Sequence, residues 1–144
     1  MKTFLFSLFL IISTTNSSCN RGQSDDILDI TYIIQARGTY KQIKFSKDLI
    51  LFSDAINNKK HSKKTPETLW LEMHNLLNQL NLNELHKIKV TSNEKSRDAA
   101  LTAYIEISLK NEKTLTSSYF DHGNPPEELE AIVNILLSQS QNMD

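Results

Sequence analysis

Apolar and polar residues alternate from Ile27 to Ala36, placing Leu28, Ile30, Tyr32, Ile34 and Ala36 on one face. That period of two, with its β-branched content, predicts a strand. Arg37-Gly38 follows as a turn, with Gly38 free to take positive φ. Thr39 to Ser46 alternates again, Ile43 and Phe45 facing one way and Tyr40, Gln42 and Lys44 the other. Lys47-Asp48 marks a second turn, Leu49 to Ser53 a third strand, and Asn57 to Lys64 a polar, basic loop.

The period then changes. Leu69, Trp70, Met73, Leu76, Leu77 and Leu80 form one helical stripe. Thr65-Pro66-Glu67 ahead of it predicts a start with Thr65 as N-cap and Pro66 at the first helical position. Leu82 to Val90 carries no clear period, and Thr91 to Asp98 reads as a polar loop. Ala99 to Lys110 alternates strongly, with Leu101, Ala103, Ile105, Ile107 and Leu109 opposite Thr102, Tyr104, Glu106 and Ser108. Asn111-Glu112 predicts a hairpin turn, and Lys113 to Phe120 the returning strand. Gly123 breaks that strand. Asn124-Pro125-Pro126-Glu127 predicts the last helix, with Asn124 as cap and Leu129, Ile132, Val133 and Leu136 as its buried stripe. The order β-β-β-α-β-β-α predicts an α+β domain, an antiparallel sheet of four to five strands with two helices on one face. There is no internal repeat and no low-complexity segment.

The N-terminus has a different pattern. Met1-Lys2-Thr3 precedes an apolar run from Phe4 to Ile12, then small and polar residues up to Cys19, the single cysteine of the chain. Such a run is too short to span a bilayer and fits a cleaved signal peptide over residues 1–18. A lone Cys at that point predicts lipidation of Cys19 and a membrane-anchored lipoprotein of the cell envelope. Asn16 departs from the pattern, since Leu, Val or Ile commonly stands there in lipoprotein signals. The alternative is cleavage after Ser17, giving a secreted or periplasmic protein with a free thiol. One cysteine excludes an intramolecular disulfide. Residues 19–26 read as a tether, 27–140 as a single domain and 141–144 as a tail.

Charge narrows the partners. The chain has 16 Lys+Arg against 17 Asp+Glu, a net charge of -1, which argues against a nucleic-acid partner. Lys59 to Lys64 is locally basic and suits a solvated loop or anionic headgroups. The four histidines at 61, 74, 86 and 122 lack metal-site spacing, so neither a metal nor a cofactor is expected. No phosphate loop, nucleophile elbow or zinc-protease helix is present.

Two segments carry candidate chemistry. Arg37, Gly38 and Tyr40 at a hairpin tip suit a protein partner, because Arg and Tyr are frequent interface anchors. The strand-to-helix corner holds Asp121, His122 and Gly123. A hairpin would bring Asp98, and Arg97 beside it, to the same end of the sheet. That cluster suits either an ion-pair network or a small acid/base site of Asp98, Asp121 and His122. Without a nucleophile or metal set, a non-enzymatic protein-binding module is the first expectation. A protease inhibitor using residues 37–40 is the second.

The hairpin Ile34-Gln35-Ala36-Arg37-Gly38-Thr39-Tyr40 and the corner Ser118-Tyr119-Phe120-Asp121-His122-Gly123-Asn124-Pro125-Pro126-Glu127 together resemble a family of small bacterial secreted lipoproteins of uncharacterised activity. Thr39 stands where that family often has a second glycine. In layout the chain is also similar to emfourin-type inhibitors of thermolysin-like metalloproteases. That likeness implies only that residues 37–40 contact a partner.

Overall fold

The computed structural model describes residues 26–90 and 100–141. Four strands come first: β1 (Ile27–Ala36), β2 (Thr39–Ser46), β3 (Leu49–Asp54) and β4 (Lys59–Lys64). Helix α1 (Glu67–Asn78) and a 3-10 helix over Leu82–Lys87 follow. Then come β5 (Thr102–Leu109), β6 (Thr114–Thr116), β7 (Phe120–Asp121) and α2 (Glu127–Gln141). All pairings are antiparallel, in the order β4-β3-β2-β1-β5-β6, with β7 also on β5. The α+β class with its two helices is therefore as expected from the sequence, on a seven-stranded sheet.

Alternation decides which side chains enter the core. Ile30, Tyr32 and Ile34 on β1 lie opposite Phe45, Ile43 and Lys41 on β2, and opposite Ile107, Ile105 and Ala103 on β5. Met73 and Leu77 of α1 close this face together with Leu129, Ile132, Val133 and Leu136 of α2. Tyr32, Phe45 and Phe120 are its largest fully buried side chains. Removing this apolar surface from water drives the fold at about 25 cal/mol per Å².

Four expectations need correction. Leu28 does not share the face of Ile30, because a bulge between Ile27 and Asp29 shifts the register with β5. One extra residue reverses the alternation, so Ile27 enters the core and Leu28 is 49% exposed. Asn57 to Lys64 is not all loop, since its last six residues are β4, paired along its length from Leu49↔Lys64 to Asp54↔Lys59. Asn58 takes φ +52 at the hairpin tip. Asp54 accepts from the Asn57 backbone N–H and side-chain amide at 3.1 and 2.7 Å, holding the turn. The lysines on this edge strand discourage pairing with another chain.

Helix starts are displaced as well. Pro66, in extended backbone, takes the N-cap position of α1 without a side-chain cap. Thr65 turns away, its hydroxyl donating to the Ser46 carbonyl at 2.8 Å. α2 starts at Glu127, after both prolines, because a residue before proline is disfavoured in helical backbone. The returning strand is divided into β6 and β7. Between them the Ser117 hydroxyl accepts the Ile105 N–H at 2.9 Å, replacing a ladder carbonyl. The loop expected over Thr91 to Asp98 lies outside the described residues.

Candidate functional site

Because the helix-facing positions are the even residues of β1 beyond the bulge, the odd ones form a second face. Thr31, Ile33 and Gln35 lie there opposite Lys44, Gln42 and Tyr40 of β2, and opposite Glu106, Tyr104 and Thr102 of β5. Among the described residues, no helix packs on this face. Tyr104 meets Tyr119 there, ring centroids 4.7 Å apart. Burial first, then Glu106, Tyr119 and Tyr40, raise the Tyr104 phenol above its ordinary pKa. The Gln42 amide donates to the Tyr40 hydroxyl at 3.3 Å. Ile33, only 3% exposed, lies between Gln42 and Tyr104 in the register. The result is three tyrosines around a buried Ile33. Lys44 borders them, paired to Asp29 at 2.9 Å. Further along, Lys60 and Lys64 of β4 stand across from Ser53 and Leu49.

The hairpin residues separate in space. Arg37 is exposed at the tip, and Gly38 has φ +77, as the turn requires. Tyr40 does not project with Arg37. Its register pairing with Gln35 puts it on the uncovered face.

The corner residues separate too. Asp121 pairs with Thr102 and Phe120 with Ala103, so Asp121 belongs to the uncovered face and is buried at its end. His122, one residue on, turns to the helix side and meets Tyr32. The ring of His122 thus engages Tyr32, while Asp121 sits across from Thr102. Gly123 has φ +86 and makes the corner. Asp98 and Cys19 lie outside the described residues. No group of His, Cys, Asp and Glu suited to a metal occurs among the described residues. No described helix is long and apolar enough to cross a membrane.

Tyr32 and His122 are the pair that local sequence patterns hide. They are 90 residues apart in the chain, and the Tyr32 hydroxyl lies 2.9 Å from His122 Nδ1. The Gly123 backbone N–H also acts on this phenol and favours its ionised form. Burial nevertheless pushes the Tyr32 phenol up to about 12. Burial, and secondarily Lys41, hold His122 below the usual histidine value. The imidazole is thus neutral at pH 7. Lys41 and Asp54, 3.7 Å apart, line the same cleft as His122. The Asn57 side chain and backbone, then Lys41, keep the Asp54 carboxyl below its ordinary range.

No protein-family model matches this chain, and neither a curated protein nor a solved structure matches it.

Proposed function

We propose that this chain is a non-catalytic binding module of the cell envelope, held to a membrane by lipid on Cys19. Its uncovered sheet face takes a protein partner that presents carboxylates around an apolar patch. The carrying observation is the cluster of Tyr40, Tyr104 and Tyr119 on a face that no described helix covers. Tyrosine gives large contact area and a polar tip, and is enriched where interfaces concentrate their binding energy. Lys60 and Lys64 stand on the same face at the β4 edge, with β3 between them and β2, which supports an acidic partner. The Cys19 anchor is supported by the apolar run and lone cysteine of the N-terminus.

The test is a photoreactive phenylalanine placed at Tyr104 in living cells, with Leu71, exposed on α1, as control. The expected result is a discrete protein adduct from position 104 and none from 71. Lys60→Glu with Lys64→Glu weakens that adduct. No adduct from 104, or the same adducts from both positions, contradicts the proposal. In the same cells, Cys19→Ser is expected to move the chain out of the membrane fraction.

A further inference from the structure

The uncovered face leaves unexplained a cleft on the other side of the molecule. It has a volume of about 400 Å³ and lies between the Gly38 end of the β1–β2 hairpin, the Asp54 end of β3 and the last turn of α2. That volume falls within the range of small-molecule sites, about 300–1,000 Å³. Ile34, Ile43, Phe52 and Leu137 supply apolar walls. Ile56 and Leu101 also line it, and both are exposed, at 59% and 40%. Large aliphatic side chains left in water beside a concave site mark a place where an apolar group can be taken up.

The polar groups of the cleft are unequal. The Lys41 side chain is 40% exposed and meets Asp54 only at 3.7 Å. Asp54 is 4% exposed, and its two oxygens already accept from the Asn57 backbone and side chain. Lys41 adds an ion pair to it at 3.7 Å, longer than a hydrogen bond, so the ammonium donors remain open to a ligand. His122 has Nδ1 engaged by Tyr32, which leaves Nε2 for a ligand. Lys41 on β2 and His122 after β7 line the same cleft. One ammonium and one neutral imidazole beside apolar walls suit an acceptor of low charge. The nearby Asp54 carboxylate opposes any anion, and a dianion such as phosphate about twice as strongly as a monoanion.

We infer that this cleft binds a small monocarboxylate with an apolar tail, the carboxylate between Lys41 and His122 and the tail against Ile34, Ile43 and Phe52. Lys41 is the specificity residue, because it supplies the only full positive charge among the lining residues. The site stands apart from the protein-binding face, so either is testable without the other.

The experiment is calorimetric titration of the purified chain with octanoate, and with octanol as an uncharged probe of the same length. Octanoate is expected to bind saturably, and octanol about tenfold more weakly or worse, since a charge-assisted contact contributes about 1.5–3 kcal/mol. Lys41→Met keeps the stem and removes the charge, and is expected to lose about tenfold or more in octanoate affinity. Ser140→Trp, on the α2 side of the cleft, is expected to abolish binding by filling it. Wild-type melting temperatures show that both variants fold. Failure of octanoate to saturate the wild type would overturn the inference. So would octanol binding as tightly as octanoate, or Lys41→Met binding octanoate like the wild type.

Discussion

Tyr32 holds its phenol where desolvation favours the neutral form, beside a backbone N–H and an imidazole. Removing the hydroxyl leaves Gly123 N–H and His122 Nδ1 without that partner. Tyr32→Phe is therefore expected to cost about 1–3 kcal/mol, read from urea midpoints. A midpoint unchanged from wild type would show that the hydroxyl is not engaged. The histidine adds a pH dependence. Its folded pKa lies below the ordinary 6.5, so the unfolded chain takes up the proton first as pH falls. Stability from this group is complete above about pH 6.5 and declines below it. Between neutral pH and about pH 5, wild type is expected to lose more stability than His122→Gln. Parallel curves for the two proteins would contradict the assignment. Residue types at the corner were readable in the chain: Gly123 at the turn is found with positive φ. The partner of His122 was not, because a contact across 90 residues depends on strand pairing rather than on local spacing.

Elements with one clear period were legible, and those whose boundaries depend on tertiary contacts were not. β2 and β5 alternate without interruption, and α1 and α2 carry their apolar stripes where the period puts them. β1 misleads because a single-residue bulge changes phase between Ile27 and Asp29, and a bulge has no fixed sequence mark. β4 misleads because Lys-Lys-His-Ser-Lys-Lys has no apolar alternation. Its pairing comes from the Asp54–Asn57 turn, and its far end is tied by Lys63, whose Nζ donates to the Gln139 carbonyl of α2 at 3.1 Å. Trp70 shows the limit of a stripe as a guide to depth. It stacks on Phe45 at 5.9 Å yet stays only half-buried, while Met73 and Leu77 are fully enclosed. Trp70→Ala is therefore expected to cost about 2–3 kcal/mol, below the 3–5 of a fully buried aromatic. A loss at the top of that range would mean that the indole is more enclosed than its packing against Phe45 indicates.

At the scale of the whole molecule, one decision shapes the rest: both helices pack on the same side of the sheet. Sequence order predicted that placement, since the two helices follow separate groups of antiparallel strands. It leaves the opposite face to Tyr40, Tyr104, Tyr119 and the flanking charges. Three aromatics on a face that no described helix covers suit contact with a neighbouring molecule. The tyrosines were visible as residues, but their convergence required the register of β1 between β2 and β5. The most direct test is tyrosine-selective chemical footprinting, comparing the chain in intact cells with the same chain purified. Tyr40, Tyr104 and Tyr119 are expected to be modified in the purified protein and protected in cells, while Tyr32 stays unmodified in both. Equal modification of the three in cells and in solution would contradict it.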